Sequence, residues 1–170
     1  MKYLQLLFFL FIFQSGFSQI DIFDIARNGN VDELKKTMKQ NPDIINSLNE
    51  QGFSPLILAS YRGNVAMAIF LIKNVKDING NSPMGTPLMA AVVKGNVEIV
   101  QALLENNANP NLTDAHGTTA LIYAVQFKNV AIIKLLLNHK ADKLKIDDKG
   151  KTAFEYAVFS NNDEIINLLK

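Results

Sequence analysis

Five sets of residues recur along the chain at steps of 32 or 33, and a recurrence of that length leaves few folds open. Ser54, Thr86, Thr119 and Thr152 stand 32, 33 and 33 residues apart. Leu56, Leu88, Leu121 and Phe154 keep the same steps, as do Ala59, Ala91, Ala124 and Ala157, and Leu71, Leu103, Leu136 and Leu169. A fifth column, Asn64, Asn96, Asn129 and Asn162, keeps them too, with Asn30 placed 34 residues before Asn64. Columns held in one register mark a repeat array, in which no unit buries its own apolar face and each must stack on its neighbours.

The stretch "AAVVKGNVEIVQALLENNANPN", Ala90 to Asn111, gives the form of one unit. Val97, Val100, Leu103 and Leu104 fall at three- and four-residue steps, which predicts a helix with one apolar face, while Glu98, Gln101 and Glu105 point elsewhere. Asn96 is placed to cap that helix, and Gly95 can take the left-handed conformation that ends the preceding helix, Pro87 to Lys94. Each unit is therefore a hairpin of two antiparallel helices. Ser or Thr caps the first helix, and Pro55 and Pro87 sit in its first turn, where a missing N–H does no harm. The alanine column lets stacked helices approach closely. Between units, "NEQGFS", "NGNSPMGT", "DAHGTT" and "DDKGKT" are turn-rich and suit a projecting β-turn or hairpin finger.

On these residues the chain resembles the ankyrin repeats, a family with a 33-residue period of one β-turn and two helices. The matching segments are "GFSPLILAS" (52–60), "GTPLMAAVVKGNVEIVQALLENNANPN" (85–111), "DAHGTTALIYAV" (114–125) and "LLLNHKAD" (135–142). The resemblance implies an all-α solenoid of stacked helix-turn-helix units with short fingers. Its expected division is a capping unit at about 20–47, repeats at about 48–79, 80–111 and 112–144, and a second capping unit at about 145–170. Two departures stand out. The family's histidine after Thr-Pro-Leu is replaced by Ile57, Met89, Ile122 and Glu155, which removes the hydrogen bonds it makes. The helix-linking glycine is Lys128 in the fourth unit and Asn161 in the fifth, and a left-handed lysine costs roughly 1–2 kcal/mol.

The start, "MKYLQLLFFLFIFQSGFSQ", carries one cation at Lys2, an apolar run from Leu4 to Phe13 and small residues at Gly16 and Ser18. It reads as a signal peptide, residues 1–18, cleaved to leave Gln19 first. The apolar run spans only about half of a ~30 Å hydrocarbon core, so no stable membrane insertion is expected after cleavage. Removing Lys2 turns the 17 basic and 16 acidic side chains of the 170-residue chain into 16 and 16. A neutral chain lacks the footprint that nucleic-acid binding requires. There is no cysteine, which excludes disulfides, thiolate metal sites and a cysteine nucleophile. The expected location is exported, periplasmic or secreted, and the expected state a monomer.

Catalytic chemistry finds little purchase. Gly150-Lys151-Thr152 has the tail of a phosphate-binding loop, but Lys145 stands where the motif's first glycine belongs and no strand precedes it. His116 and His139 are too separated for a metal site. The acid pairs Asp32–Glu33, Asp147–Asp148 and Asp163–Glu164 fall on helix starts or fingers, where they favour the helix dipole or stay solvated. Asn111-Leu112-Thr113 fits a glycosylation acceptor, relevant only to a eukaryotic exporting cell. The expectation is a non-enzyme with no cofactor and no metal. By resemblance, the fingers and the ends of the first helices form a concave groove that binds protein partners. Mapped onto this chain it holds Glu50, Gln51, Phe53, Tyr61, Arg62, Val93, Lys94, His116, Gln126, Phe127, Lys149 and Phe159. Aromatic and arginine side chains are favoured anchors of binding surfaces. The expected role is an adaptor or scaffold, the alternatives an inhibitor or immunity-type protein for an exported enzyme or toxin, or a secreted host-directed effector.

Overall fold

The computed structural model describes residues 21–170, and the expected signal peptide and its cleavage point lie outside the described residues. Helices come in pairs: α1 (Ile22–Asn28) with α2 (Val31–Gln40), α3 (Pro55–Arg62) with α4 (Val65–Ile72), and α5 (Pro87–Lys94) with α6 (Val97–Glu105). α7 (Ala120–Gln126) with α8 (Val130–Asn138) and α9 (Ala153–Phe159) with α10 (Asp163–Leu169) complete the series. A 3₁₀ turn over Pro42–Asn46, which the periodicity does not announce, closes the first pair.

The capping columns do what their chemistry dictates. Oγ of Ser54, Thr86, Thr119 and Thr152 accepts the N–H three residues on, at 3.2 to 3.3 Å. Asn30, Asn64, Asn96, Asn129 and Asn162 cap the second helices in the same way. Each satisfies one orphan N–H of a helix start, a contribution of about 1 kcal/mol. The hairpin turn of four units needs a left-handed residue: Gly63 and Gly95 have φ of 74°, Lys128 55° and Asn161 50°.

α1, α3, α5, α7 and α9 stack into one layer and α2, α4, α6, α8 and α10 into a second, with the core between them. Ala59, Ala91, Ala124 and Ala157 are fully buried at the first-layer contacts, where a larger side chain would push neighbouring helices apart. Leu71, Leu103 and Leu136 fill the seam between units and are also fully buried. Val97 departs from expectation. It is 38% exposed, because the buried stripe of α6 is centred on Ile99, Val100 and Leu103 and Val97 falls at its edge.

Polar ladders tie unit to unit. Oδ1 of Asn46, Asn79 and Asn111 accepts N–H of Lys76, Asn109 and Asp142 in the following unit, at 2.9, 2.8 and 2.7 Å. The fingers close with antiparallel bridges Ser82–Gly85, Thr113–Thr119 and Ile146–Thr152. They also touch one another: the Asp148 N–H donates to the His116 carbonyl at 2.9 Å, and Ala115 N–H to the Pro83 carbonyl at 3.4 Å. This row of fingers forms one wall of a groove whose floor is the first-helix layer.

Candidate protein-binding groove

The floor is built from one side of the first-helix layer, where the core side chains Ile57 and Met89 stand beside half-buried and exposed ones. α3 contributes Ile57, Leu58, Tyr61 and Arg62, α5 Met89, Ala90 and Val93, and α7 Tyr123. Phe127, just past α7, together with Phe53 and Met84 from the fingers and Arg27 from α1, completes a concavity of about 630 Å³. The position four residues after the capping Thr is Ala90 in the middle unit and Tyr123 in the next, so a small side chain lies beside a large one. The second finger can fold onto this floor only because residue 85 is glycine: a Cβ there would stand 2.3 Å from the Met89 sulfur, and φ is 100°.

Of the expected groove residues, Phe53, Tyr61, Arg62, Val93 and Phe127 line this concavity. Tyr61 and Phe127 are 54% and 55% exposed, large apolar area left to solvent. Lys94 is exposed, and its stem runs past Gly63. The other expected positions lie away from the lining. Glu50, Gln51 and Lys149 are exposed on fingers. His116 is turned to the next finger, its Nδ1 3.3 Å from Asp148 Oδ2. Gln126 sits by the Tyr156 hydroxyl. Phe159 is 73% exposed, with the Lys151 ammonium 4.2 Å from its ring centre. Sequence reasoning missed Arg27, Ile57, Leu58, Met84, Thr86, Met89, Ala90 and Tyr123. Comparing the Thr+4 column, Leu58, Ala90, Tyr123 and Tyr156, would have located the small side chain beside the large one.

One acid pair needs correcting. Asp147 is not solvated but buried, at 7% exposure, as is Asp114 one unit earlier. Oδ1 of Asp114 accepts the N–H groups of His116 and Thr118, and its Oδ2 accepts the Tyr123 hydroxyl at 2.6 Å. Asp147 repeats the arrangement with Lys149, Lys151 and Tyr156. Each carboxylate thus shapes its finger and braces it to the helix behind. Burial and the Asp114 hydrogen bond push the Tyr123 hydroxyl up to about 12; for Tyr156 the Asp147 hydrogen bond leads and burial adds, again to about 12. Burial alone would raise the Asp147 carboxyl, but the Tyr156 hydroxyl and the finger N–H groups outweigh it and hold it below the ordinary range.

The groove is apolar, edged by guanidinium groups and free of lining carboxylates. No three His, Asp or Glu side chains gather for a metal among the described residues. No helix among them is long and apolar enough to cross a membrane. A family model of ankyrin repeats in three copies matches residues 22–114 and 106–170. The chain belongs to the ankyrin repeat family. Among similar proteins are ankyrin repeat and SAM domain-containing protein 6 of Rattus norvegicus, 33% identical over 102 residues (59% of this chain, 12% of that protein), and putative ankyrin repeat protein FPV014 of Fowlpox virus (strain NVSL), 32% identical over 109 residues (63% and 25%). Rabankyrin-5 of Homo sapiens is 29% identical over 111 residues (58% and 10%). The chain thus spans a quarter or less of the length of these relatives. Ankyrin repeats are in general protein–protein interaction modules, and the family's members are typically non-catalytic.

Proposed function

We propose that this ankyrin chain is a non-catalytic interaction module that acts after export, in the periplasm or outside the cell, and holds one protein partner in its concave groove. The observation that carries the reading is the groove itself: Tyr61 and Phe127 are exposed beside Phe53, Val93 and Met84, with Arg62 at the edge. Rigid aromatic side chains supply large contact area at low entropic cost, which is what an interface anchor needs. Export is supported by the leader-like start, and a partner other than nucleic acid by the neutral charge of the chain without it.

The reading is tested by affinity capture from the exported fraction, with the parent chain, a Tyr61→Ala/Phe127→Ala variant and a back-face Gln101→Ala/Lys134→Ala variant as baits. A partner retained by the parent and the back-face variant and lost by the groove variant supports it. Equal retention by all three contradicts it. Because both aromatics are exposed, the groove variant should keep the parent's urea midpoint. Intact mass of the exported protein tests the location: a chain starting at Gln19 is expected, and one retaining Met1 contradicts cleavage.

A further inference from the structure

The geometry points to the chemistry of the groove's occupant: an extended, acidic segment of the partner that carries apolar side chains and presents a carboxylate about every third residue. This deepens the groove reading above and rests on it. α3, α5 and α7 contain no Asp or Glu. Their C-terminal ends carry Arg62, Lys94 and, one residue past Phe127, Lys128. None of these three cations is in an ion pair among the described residues, whereas Arg27, next along the row, is held by Asp24 at 2.9 Å. Six acids lie in the second layer, Asp32 and Glu33 on α2, Glu98 and Glu105 on α6, Asp163 and Glu164 on α10, and the first-layer acids Asp24 and Glu155 sit on the outer helices α1 and α9, while Glu50 and Asp148 are on the finger wall opposite these cations. A chain of nearly balanced charge therefore shows one sign along one edge of its groove.

The helix dipole accounts for a cation in the last turn of α3 and of α5. It does not account for Lys128. That residue occupies the left-handed hairpin position, φ 55°, where Gly63, Gly95 and Asn161 stand in the other units, and a lysine is strained there. Lys140, just past α8 and away from the groove lining, is left-handed too, so what sets Lys128 apart is its place as the third charge of the row rather than its strain.

Spacing gives the form of the occupant. Neighbouring packed helices lie about 8–10 Å apart, and an extended chain in the polyproline II form advances about 3.1 Å per residue with three residues per turn, so residues three apart share one face and cross one unit. Three rim cations then meet carboxylates at i, i+3 and i+6, while intervening apolar side chains drop toward Tyr61, Ala90 and Val93. A helical occupant, rising 1.5 Å per residue, would need carboxylates roughly six apart.

The test is selection of random peptides of about twelve residues, enough to cross three units at about three residues each, displayed on phage against the immobilised full chain. Enrichment of Asp or Glu at three-residue steps, with Phe, Tyr or Leu between them, is expected. A synthesised winner should bind an Arg62→Glu/Lys94→Glu variant about tenfold more weakly, and high salt should weaken it further. Winners without acidic preference, winners that bind the charge-reversed variant as tightly as the parent, or acids spaced six apart would overturn the extended acidic occupant. The groove reading survives those outcomes if winners lose affinity for Tyr61→Ala/Phe127→Ala. Winners that bind this last variant as tightly as the parent, or no enrichment on the parent above that on it, would overturn both. Urea midpoints, expected to match the parent's for the aromatic variant and to fall slightly for the charge-reversed one, whose acids oppose the helix dipole, with every variant still folded, keep loss of binding distinct from loss of fold.

Discussion

The pairs α3–α4 and α5–α6 and the pairs α7–α8 and α9–α10 meet the same packing demands with different residues. The earlier two use Pro55 and Pro87 to start their first helices and Gly63 and Gly95 to turn the hairpin. The later two have neither, and force Lys128 and Asn161 into the left-handed turn. They have instead what the earlier two lack, a tyrosine on the first helix bonded to a buried finger carboxylate. Leu58 and Ala90 stand at the tyrosine's place in the earlier units, and they open the groove. Backbone economy on one side and side-chain bracing on the other hold the same solenoid, and the cleft lies over the unbraced units, closed at its far end by the braced Tyr123 and by Phe127.

The largest way to break this contrast is to remove a brace at its carboxylate. Asp114→Ala leaves two finger N–H groups and the Tyr123 hydroxyl without their acceptor, and should lower the unfolding free energy by about 2–3 kcal/mol in a urea melt. Asn49→Ala, whose side chain accepts only from Gln51 and Phe53 in a more open finger, should cost about 1 kcal/mol. Equal costs would mean that the brace adds nothing.

A smaller effect separates the halves by pH. Folding raises the pKa of Tyr123 and Tyr156, so their contribution is complete below about 10, the value for an unfolded tyrosine, and is lost as pH climbs toward about 12. The Asp147 carboxyl is depressed, so its contribution holds above about 4, the ordinary carboxylate value, and fades as pH falls below it. A Tyr123→Phe/Tyr156→Phe chain should be about 1 kcal/mol less stable per site at neutral pH and show a flatter loss of stability in the alkaline window. Denaturant melts at stepped pH, with tyrosinate absorbance as the ionisation signal, read both.

The comparison also shows what the sequence carried. Caps, hairpin turns and seam leucines were legible because each recurs in four units with one chemical meaning, and Tyr61 and Phe127 because, with Phe159, they recur at about the repeat period where solvated positions are more often charged. The Asp–Tyr brace was hidden by having only two copies and by joining residues nine apart through a turn, which no helix or strand period reports. Met84 escaped because its finger is one residue shorter than the others, so it falls out of register. Leu144 stands 33 residues after Asn111, at the end of the Asn46–Asn79–Asn111 ladder, and is 82% exposed, a departure visible only once that ladder is seen.

The smallest effect grafts the earlier solution onto the later half. Lys128→Gly keeps the left-handed turn without its Cβ strain and should raise stability by up to about 1 kcal/mol in a urea melt. A net loss would mean that the Lys128 side chain contributes more than its backbone costs.

The reverse graft bears most directly on the claim that the open side is the binding side. Ala90→Tyr places the later units' tyrosine among the side chains that line the groove, on a helix whose neighbour already carries one at the same position. The measurement is titration calorimetry of the captured partner into the parent and into Ala90→Tyr, both verified as folded by their urea midpoints. The account predicts at least about tenfold weaker binding to the filled groove, about 1.4 kcal/mol, with the fold retained. Unchanged affinity with the groove filled would contradict it.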